Sequence, residues 1–350
     1  MFQRARTWLL RSGIQEPGGG VARYYRADVE KNLAVSTEIT GYFVSALFHI
    51  PELASGATTE AGLAAAHYLT RQAWSVQHAT IPFEPDSQFA YFFDIGIIVR
   101  GLLAAWKATQ EQELADRAKD TALSLAFDFL GEGAFHPIIT LPEKQPLDYE
   151  PKRWSRSPGC YQLKSALAWH DIGRAFEDQH ATRMFEAALA SALATHESFL
   201  PGVDEPEKVM DRLHAYSYFL EALLSVGDRP ECRAALTTGI ERVARYLRDI
   251  SPRFERSDVC AQLLRVRLIA HRHHGLPLDQ EAAAEEARRA ASYQATSTDP
   301  RIDGGFWFGR KQGELLPFVN PVSTVFCLQA LSLWEAHRTG AWTYEPGKLV

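Results

Sequence analysis

Apolar residues in this chain gather into helix-length runs of two kinds, and the two kinds alternate. In one kind charges recur along a single face, as in EQELADRAKDTALSLAFDFL and ECRAALTTGIERVARYLRDI. A stripe of that period belongs to a helix that is half exposed. These runs cover about 2–12, 57–78, 111–130, 181–198, 229–249 and 279–295. In the other kind, such as FDIGIIVRGLLAAW and NPVSTVFCLQALSLW, most sides are apolar, which fits burial between neighbours. These runs cover about 37–49, 92–108, 158–177, 208–226, 257–274 and 321–338. Six buried helices alternating with six half-exposed ones predict one all-α domain over residues 1–350, a closed ring of helical hairpins.

The links are unequal. Those from a buried to a half-exposed run are short, such as 109–110 and 227–228, while the return links include 13–36, 131–157 and 296–320. In antiparallel hairpins all links of one type lie at one end, so the long loops crowd the rim where the buried helices begin. Long loops in a compact domain tend to carry function. Two of them hold Gly, Pro and aromatic residues and predict small β-hairpin lips, around Gly133-Ala134-Phe135 and Gly305-Phe306-Trp307-Phe308.

Start and stop signals sharpen the boundaries. Ser157-Pro158 and Asn320-Pro321 each put a capping side chain before a proline at the first helical position. Ser257-Asp258 puts a cap and an acid where the helix dipole favours negative charge. Gly227 and Gly275 follow the last apolar turn of their helices and read as stops.

Composition narrows the classes. The chain is 46% hydrophobic and 23% charged, enough for a sizeable core, and its formal net charge of −6 argues against a general nucleic-acid binder. The four cysteines lack ligand-like spacing and read as small buried hydrophobes in a reducing compartment. No run approaches the ~18 apolar residues that span a membrane, and the basic start has too short an apolar run for a secretory signal. The protein therefore reads as soluble and cytoplasmic. His271-Arg272-His273-His274 closes a buried helix at the end away from the long loops, where histidines favour the helix dipole and cap carbonyls. Zinc-protease, nucleotide-binding and nucleophile-elbow motifs are missing, so no metal or cofactor is expected.

Candidate chemistry lies at the starts of the buried helices. Glu38 and Asp94 open two successive ones. Each either caps its helix or, with a burial-raised pKa, serves as general acid or base, and two carboxylates across a pocket are the minimal set for glycoside hydrolysis. Tyr42 follows Glu38 by one turn. Arg153 and Trp154, leading to Tyr161, suit an acidic sugar through carboxylate pairing and ring stacking, or else anchor the loop by salt bridges. His214 and Tyr218 share a helix face and read either as core residues or as groups that take a proton α to a carboxylate. Arg256 and Asp258 form a fifth cluster, and Trp307, Arg310 and Asn320 a sixth, in which loop aromatics offer a sugar platform or pack on themselves.

Across nearly its whole length the chain resembles the six-hairpin (α/α)6-toroid superfamily of glycosidases, unsaturated glucuronyl hydrolases, sugar 2-epimerases and uronyl lyases. It more closely resembles bacterial toroid proteins associated with polysaccharide biosynthesis, often labelled as having prenyltransferase- or squalene-oxidase-like repeats. The segments that carry this are GGVARYYRADVEKNLAVSTEITGY (19–42), FFDIGIIVRGL (92–102) and GGFWF with NPVSTVFCLQAL. The acid-rich and QW motifs of terpene cyclases are missing, as are the paired histidines of sugar 2-epimerases and the WRD-like pattern of glucuronyl hydrolases. The resemblance implies a carbohydrate-active enzyme acting on an oligo- or polysaccharide with acidic sugars. Glu38 and Asp94 would be its acid/base pair, and Tyr42, Arg153, Trp154, Tyr161, His214, Tyr218, Arg256, Asp258, Trp307, Arg310 and Asn320 would bind substrate. A uronyl lyase or epimerase is the first alternative. A non-catalytic glycan- or protein-binding accessory of a polysaccharide-assembly system is the second. A prenyl-transfer or cyclisation site would instead need a deep apolar cavity.

Overall fold

The computed structural model describes residues 1–350. Twelve helices follow in chain order: α1 Phe2–Arg11, α2 Thr37–His49, α3 Gly56–His67, α4 Phe92–Thr109, α5 Gln112–Phe127, α6 Leu163–Phe176, α7 Gln179–Phe199, α8 Pro206–Leu223, α9 Pro230–Ile250, α10 Ser257–His274, α11 Gln280–Ala291 and α12 Pro321–Thr339. None is long and apolar enough to cross a membrane.

Several boundaries depart from the sequence expectation. The run at 57–78 is α-helical only to His67 and continues as a π-helical stretch, Tyr68–Ala73. α6 begins at Leu163 rather than at Pro158, behind a 3-10 turn over Cys160–Gln162. The capping role expected of Ser157 passes to Gln162, whose Oε1 accepts from the Gly159 N–H at 3.1 Å while its amide donates to Phe135 O at 3.0 Å. Ser257 is the first residue of α10 and caps nothing; its hydroxyl donates to the carbonyls of Trp307 and Phe308. Gly227 is not left-handed. A Cβ there would lie 2.6 Å from the His274 ring, so close packing selects the glycine. Asn320 and Gly275 act as expected: Asn320 Oδ1 accepts from Ser323 N at 3.0 Å, and Gly275 ends α10 at φ +67°. His271, His273 and His274 hydrogen-bond to the carbonyls of Leu276, Tyr344 and Leu224. All four cysteines are buried thiols.

The chain divides into two compact units. The first comprises Gln15–Arg23 and Leu33–Thr195, and holds α2 to α6 and most of α7. Here α4 is the central buried helix. It packs on α2 and α6, with α5 against it and α3 against α2. Small residues set the crossings. A Cβ on Gly101 would lie 2.6 Å from Gly41 O, and one on Gly96 would lie 2.5 Å from Ser165 Cα. Only glycine permits backbones to approach so closely. The contacts pair Gly41 with Ile97 and Ile98. α2 and α4 therefore run in register, and the residues one turn earlier, Glu38 and Asp94, come to the same level. Ser165 Oγ donates to Phe93 O at 2.8 Å, which brings the start of α6 to that level too. A strand, Phe89–Tyr91, leads straight into α4 and pairs with Ile138–Thr140. The lip expected near Gly133 is reduced to a single bridge between Leu130 and Phe135.

The second unit comprises Met1–Ile14, Tyr24–Asn32 and His196–Val350. It has the same plan. α10 is central and packs on α8 and α12, with α9 against α8 and α11 against α10, while α1 lies on α12. Two strands enter its buried helices. Phe254–Arg256 precedes α10 and pairs with Gly309–Lys311, which pairs in turn with Glu314–Leu315. Phe318–Val319 precedes α12 and pairs with Tyr25–Arg26. The second lip is thus a true hairpin, a few residues beyond its expected place, turning through left-handed Gln312 and Gly313 (φ +52° and +85°). Consecutive positive φ values suit the twist of a two-residue hairpin.

Candidate active site

In the first unit Ser36 Oγ caps α2 by accepting from Ile39 N, and Thr37 donates to the carbonyls of Pro82 and Phe83 at 3.1 and 3.0 Å. This anchors the helix start, so Glu38 is presented from a fixed first turn. Glu38 lies below the surface with a narrow exposed edge, and its carboxylate has neither a hydrogen bond nor an ion pair. Asp94 is 5% exposed, and its Oδ2 has no hydrogen-bond partner. Burial pushes Glu38 up to about 7 against the opposing charge of Arg23. Asp94 is raised well above the ordinary carboxylate range, first by burial and then by the charge of Glu38. The charge of Glu38 disfavours that of Asp94, and two acids so placed titrate as a pair.

Cations and rings surround this pair. Tyr91, whose hydroxyl burial raises, senses the charges of Asp94, Arg156, Arg23 and Arg153. Arg23 pairs with Glu84 at 2.6 Å, and its guanidinium lies 4.6 Å from the centroid of Phe83. Arg153 and Arg156 both reach Glu150. Tyr161 is buried, donates to Ser157 O at 3.1 Å and packs its ring against Trp154 and Phe93. Burial raises its hydroxyl, with Asp94 adding to the shift. Of the residues singled out from the sequence, Glu38, Asp94, Arg153, Trp154 and Tyr161 thus come together. Tyr42, in the same unit, is buried in α2. Sequence reasoning marked Arg156 beside Arg153 and Trp154 but missed Arg23 and Glu84, and it noticed Tyr91 only as an aromatic. Arg23 lies in the segment 19–42 that carried the family resemblance, which is the signal that was available for it.

The remaining candidates belong to the second unit. Arg256 donates to both oxygens of Asp258 (3.0 and 2.7 Å) and to Asp211 (2.8 Å), and its guanidinium lies over Phe308. Burial acts most strongly, to raise Asp258, but the charges of Arg256 and His214 and the hydrogen bonds from Arg256 and the Val259 backbone together leave the carboxyl below its usual range. Both side chains are committed to each other rather than offered to a ligand. Asn320 is likewise engaged as the cap of α12. His214 Nδ1 lies 2.8 Å from Gln262 Oε1, and the Gln262 amide donates to His214 O at 3.4 Å. Gln262 thereby fixes the proton on Nδ1, and Nε2 keeps its lone pair. Burial, then Arg256, lowers His214 to about 3, so the ring is neutral. Tyr218 is buried with its ring on His214 and Phe326. Trp307 is partly buried, bridging Val319 through its backbone, and Arg310 lies 5.2 Å over the ring of Tyr293 with its Nε–H unsatisfied.

No family model and no curated relative matches the sequence. In three dimensions the chain is similar to cellobiose 2-epimerase from Spirochaeta thermophila, at 15% identity and a TM-score of 0.71, over 95% of this chain and 93% of that one. It is similar to a sugar epimerase from a ruminal bacterium, at 10% identity and 0.68, over 95% and 98%. It is also similar to a family 76 glycoside hydrolase, a mannosidase, from Bacteroides thetaiotaomicron, at 11% identity and 0.60, over 96% and 99%. These likenesses show the fold, the all-α (α/α)6 class expected from the helix pattern.

Proposed function

We propose that the protein is a carbohydrate-processing enzyme in which Glu38 and Asp94 perform general acid/base chemistry on an oligo- or polysaccharide containing acidic sugars. The observation that carries this reading is the pair itself: a buried Asp94 and a half-buried Glu38 at one level, neither neutralised by an ion pair, with raised pKa values. Unpaired buried acids are costly, and such costs concentrate at functional sites. Asp94, raised well above the ordinary carboxylate range, is the group assigned as the acid; Glu38, near 7, is the group assigned as the base. Arg23, Arg153 and Arg156 supply positive charge for a sugar carboxylate, and Trp154 and Tyr161 supply a ring surface. The fold likeness to sugar epimerases and a glycoside hydrolase supports the substrate class, and the resemblance of residues 19–42 to polysaccharide-biosynthesis proteins supports a polymeric substrate. Hydrolysis is the first reading.

His214 favours a second reading, epimerisation or elimination. A neutral ring with its proton fixed on one nitrogen keeps a lone pair on the other, the form from which a base must start, and substrate charge beside it would have to offset the lowering that burial and Arg256 impose. The test is turnover of a panel of uronate-containing and neutral oligosaccharides by the wild type, Glu38→Gln, Asp94→Asn and His214→Ala, with products run in deuterated water. Loss of about 10²–10⁴-fold in both carboxylate variants, with new reducing ends, no unsaturated uronyl end and no carbon-bound deuterium, is the expected result. Deuterium incorporated at carbon (epimerisation) or an unsaturated uronyl end (elimination), lost in His214→Ala, replaces hydrolysis with the second reading. Full activity in Glu38→Gln or Asp94→Asn removes the acid/base assignment.

A further inference from the structure

Beside the start of α2, the first unit holds a cavity of about 510 Å³ that neither Glu38 nor Asp94 lines. Its walls include Thr37, Trp74, Gln77, Glu84, Asp86 and Gln88, and no lysine or arginine lines it. The loop that shapes it is well determined by its own bonds. Ser75 N donates to Thr80 O, Phe83 N to Phe89 O, and Ser87 N to Glu84 O. In that last turn Pro85 presets the second position and Asp86 takes the left-handed conformation (φ +64°) at the third, which aspartate tolerates. His78 Nδ1 is buried with no hydrogen-bond partner.

We propose that this cavity is a subsite for an uncharged sugar unit of the substrate, a proposal that rests on the carbohydrate reading above. The volume is that of a small-ligand pocket. Glutamine side chains both donate and accept, carboxylates accept from hydroxyls, and a tryptophan ring offers an apolar face; together these match the surface of a neutral pyranose. The charge rules out a uronate as the preferred guest. Glu84 is already matched by Arg23 at 2.6 Å, and Asp86 is left as a negative charge with no cation in the lining to receive a second carboxylate. Trp74 is held by the Arg117 guanidinium, 4.0 Å from its ring centroid.

The cavity is tied to the carboxylate pair through two residues. Thr37 lines it and immediately precedes Glu38, and Glu84 lines it and holds Arg23, whose charge acts on both acids. A glycan whose reacting unit lies at the pair therefore places its neighbour in this cavity. The substrate class that follows is a heteroglycan, with an acidic unit among the arginines and a neutral unit next to it.

The test is binding by titration calorimetry to the full chain carrying Glu38→Gln, so that no probe is consumed. The probes are cellohexaose, β-1,4-mannohexaose and hexagalacturonate. The same chain is then tested with Gln77→Ala and Gln88→Ala added together, exposed loop positions whose loss is expected to leave the melting temperature unchanged. At least one neutral hexaose is expected to bind and to weaken about tenfold or more in the cavity variant, as two lost hydrogen bonds imply. Hexagalacturonate is expected to show no change. Neutral binding that survives in the cavity variant, absence of binding by both neutral hexaoses, or a uronate that loses affinity with the cavity glutamines each overturns the subsite. Cavity-dependent binding without turnover by the wild type keeps the subsite and removes the acid/base reading. Turnover by the wild type that is indifferent to Gln77 and Gln88, with binding equally indifferent, does the reverse.

Discussion

Thr37-Glu38 at the start of α2 and Ser257-Asp258 at the start of α10 are the same local arrangement, a hydroxyl residue followed by an acid at the opening of a buried helix. The two acids end in opposite states. Asp258 is held ionised and low; Glu38, with Asp94 beside it, is raised toward neutrality. Burial and the helix dipole act on both, so neither explains the difference. The residue two positions earlier does. Before Asp258 stands Arg256, in extended backbone, whose guanidinium folds onto both carboxylate oxygens. Before Glu38 stands the cap Ser36, and before Asp94 stands Phe92, and neither carries charge. The first arrangement is a closed ion pair. The second leaves charge unmatched and is the one able to exchange protons with a substrate.

The sharpest way to break this comparison is Arg256→Ala. It leaves Asp258, 2% exposed, without its counter-charge, and is expected to lower the unfolding free energy by about 3–5 kcal/mol in urea at pH 7. Adding Asp258→Asn should recover most of the loss. Asp258 titrates lower in the folded state than unfolded, so its contribution is present above pH ~4 and fades on acidification. The cost of Arg256→Ala should shrink below that pH. A cost under about 1 kcal/mol at pH 7 would mean the pair is no tighter than a surface bridge.

The first unit should respond with the opposite sign. Glu38 binds a proton more tightly folded than unfolded, so wild-type stability should fall as pH rises from 4.5 to about 7. Glu38→Gln and Asp94→Asn are expected to stabilise the protein by about 1–3 kcal/mol at pH 8 and, for Glu38→Gln, to flatten that slope. Melting temperatures across pH read both. Destabilisation by both variants at pH 8 would show the acids to be structural. The pH dependence of turnover adds a finer check: the rate should rise through about pH 7 as Glu38 ionises, and that limb should vanish in Glu38→Gln. The smallest expected effect separates an engaged residue from a free one. Asn320→Ala removes the cap of α12 and should cost about 1 kcal/mol in denaturant unfolding while leaving kcat unchanged.

Much of the fold was legible. α2 and α10 begin and end where the apolar runs do, because a buried helix is apolar on most sides and its ends are marked by a polar turn. α6 was placed too early. Ser157-Pro158 has the form of a start signal, but the side chain that caps the backbone there is Gln162, and its reach to Phe135 is a tertiary contact. The candidate site was legible only in part. Glu38 and Asp94 stand out because acids are rare in apolar runs. Arg23 and Glu84 were missed because they lie in irregular segments, where neither period nor spacing tells which side chains meet.

The sequence by itself determined the helices, their alternation and the end at which the acids sit, because periodicity and capping are local and each helix carries its own. It also held the difference between Asp258 and Glu38, since Arg256 lies within reach of Asp258 along the chain. Only the tertiary structure decided that Glu38 and Asp94 share one level, through backbones that meet at Gly41 and Gly101. It alone joined Arg23 to Glu84, leaving both acids without an ion-pair partner. Charge states of buried groups depend on distances between segments far apart in the chain, and those distances arise only when the helices pack.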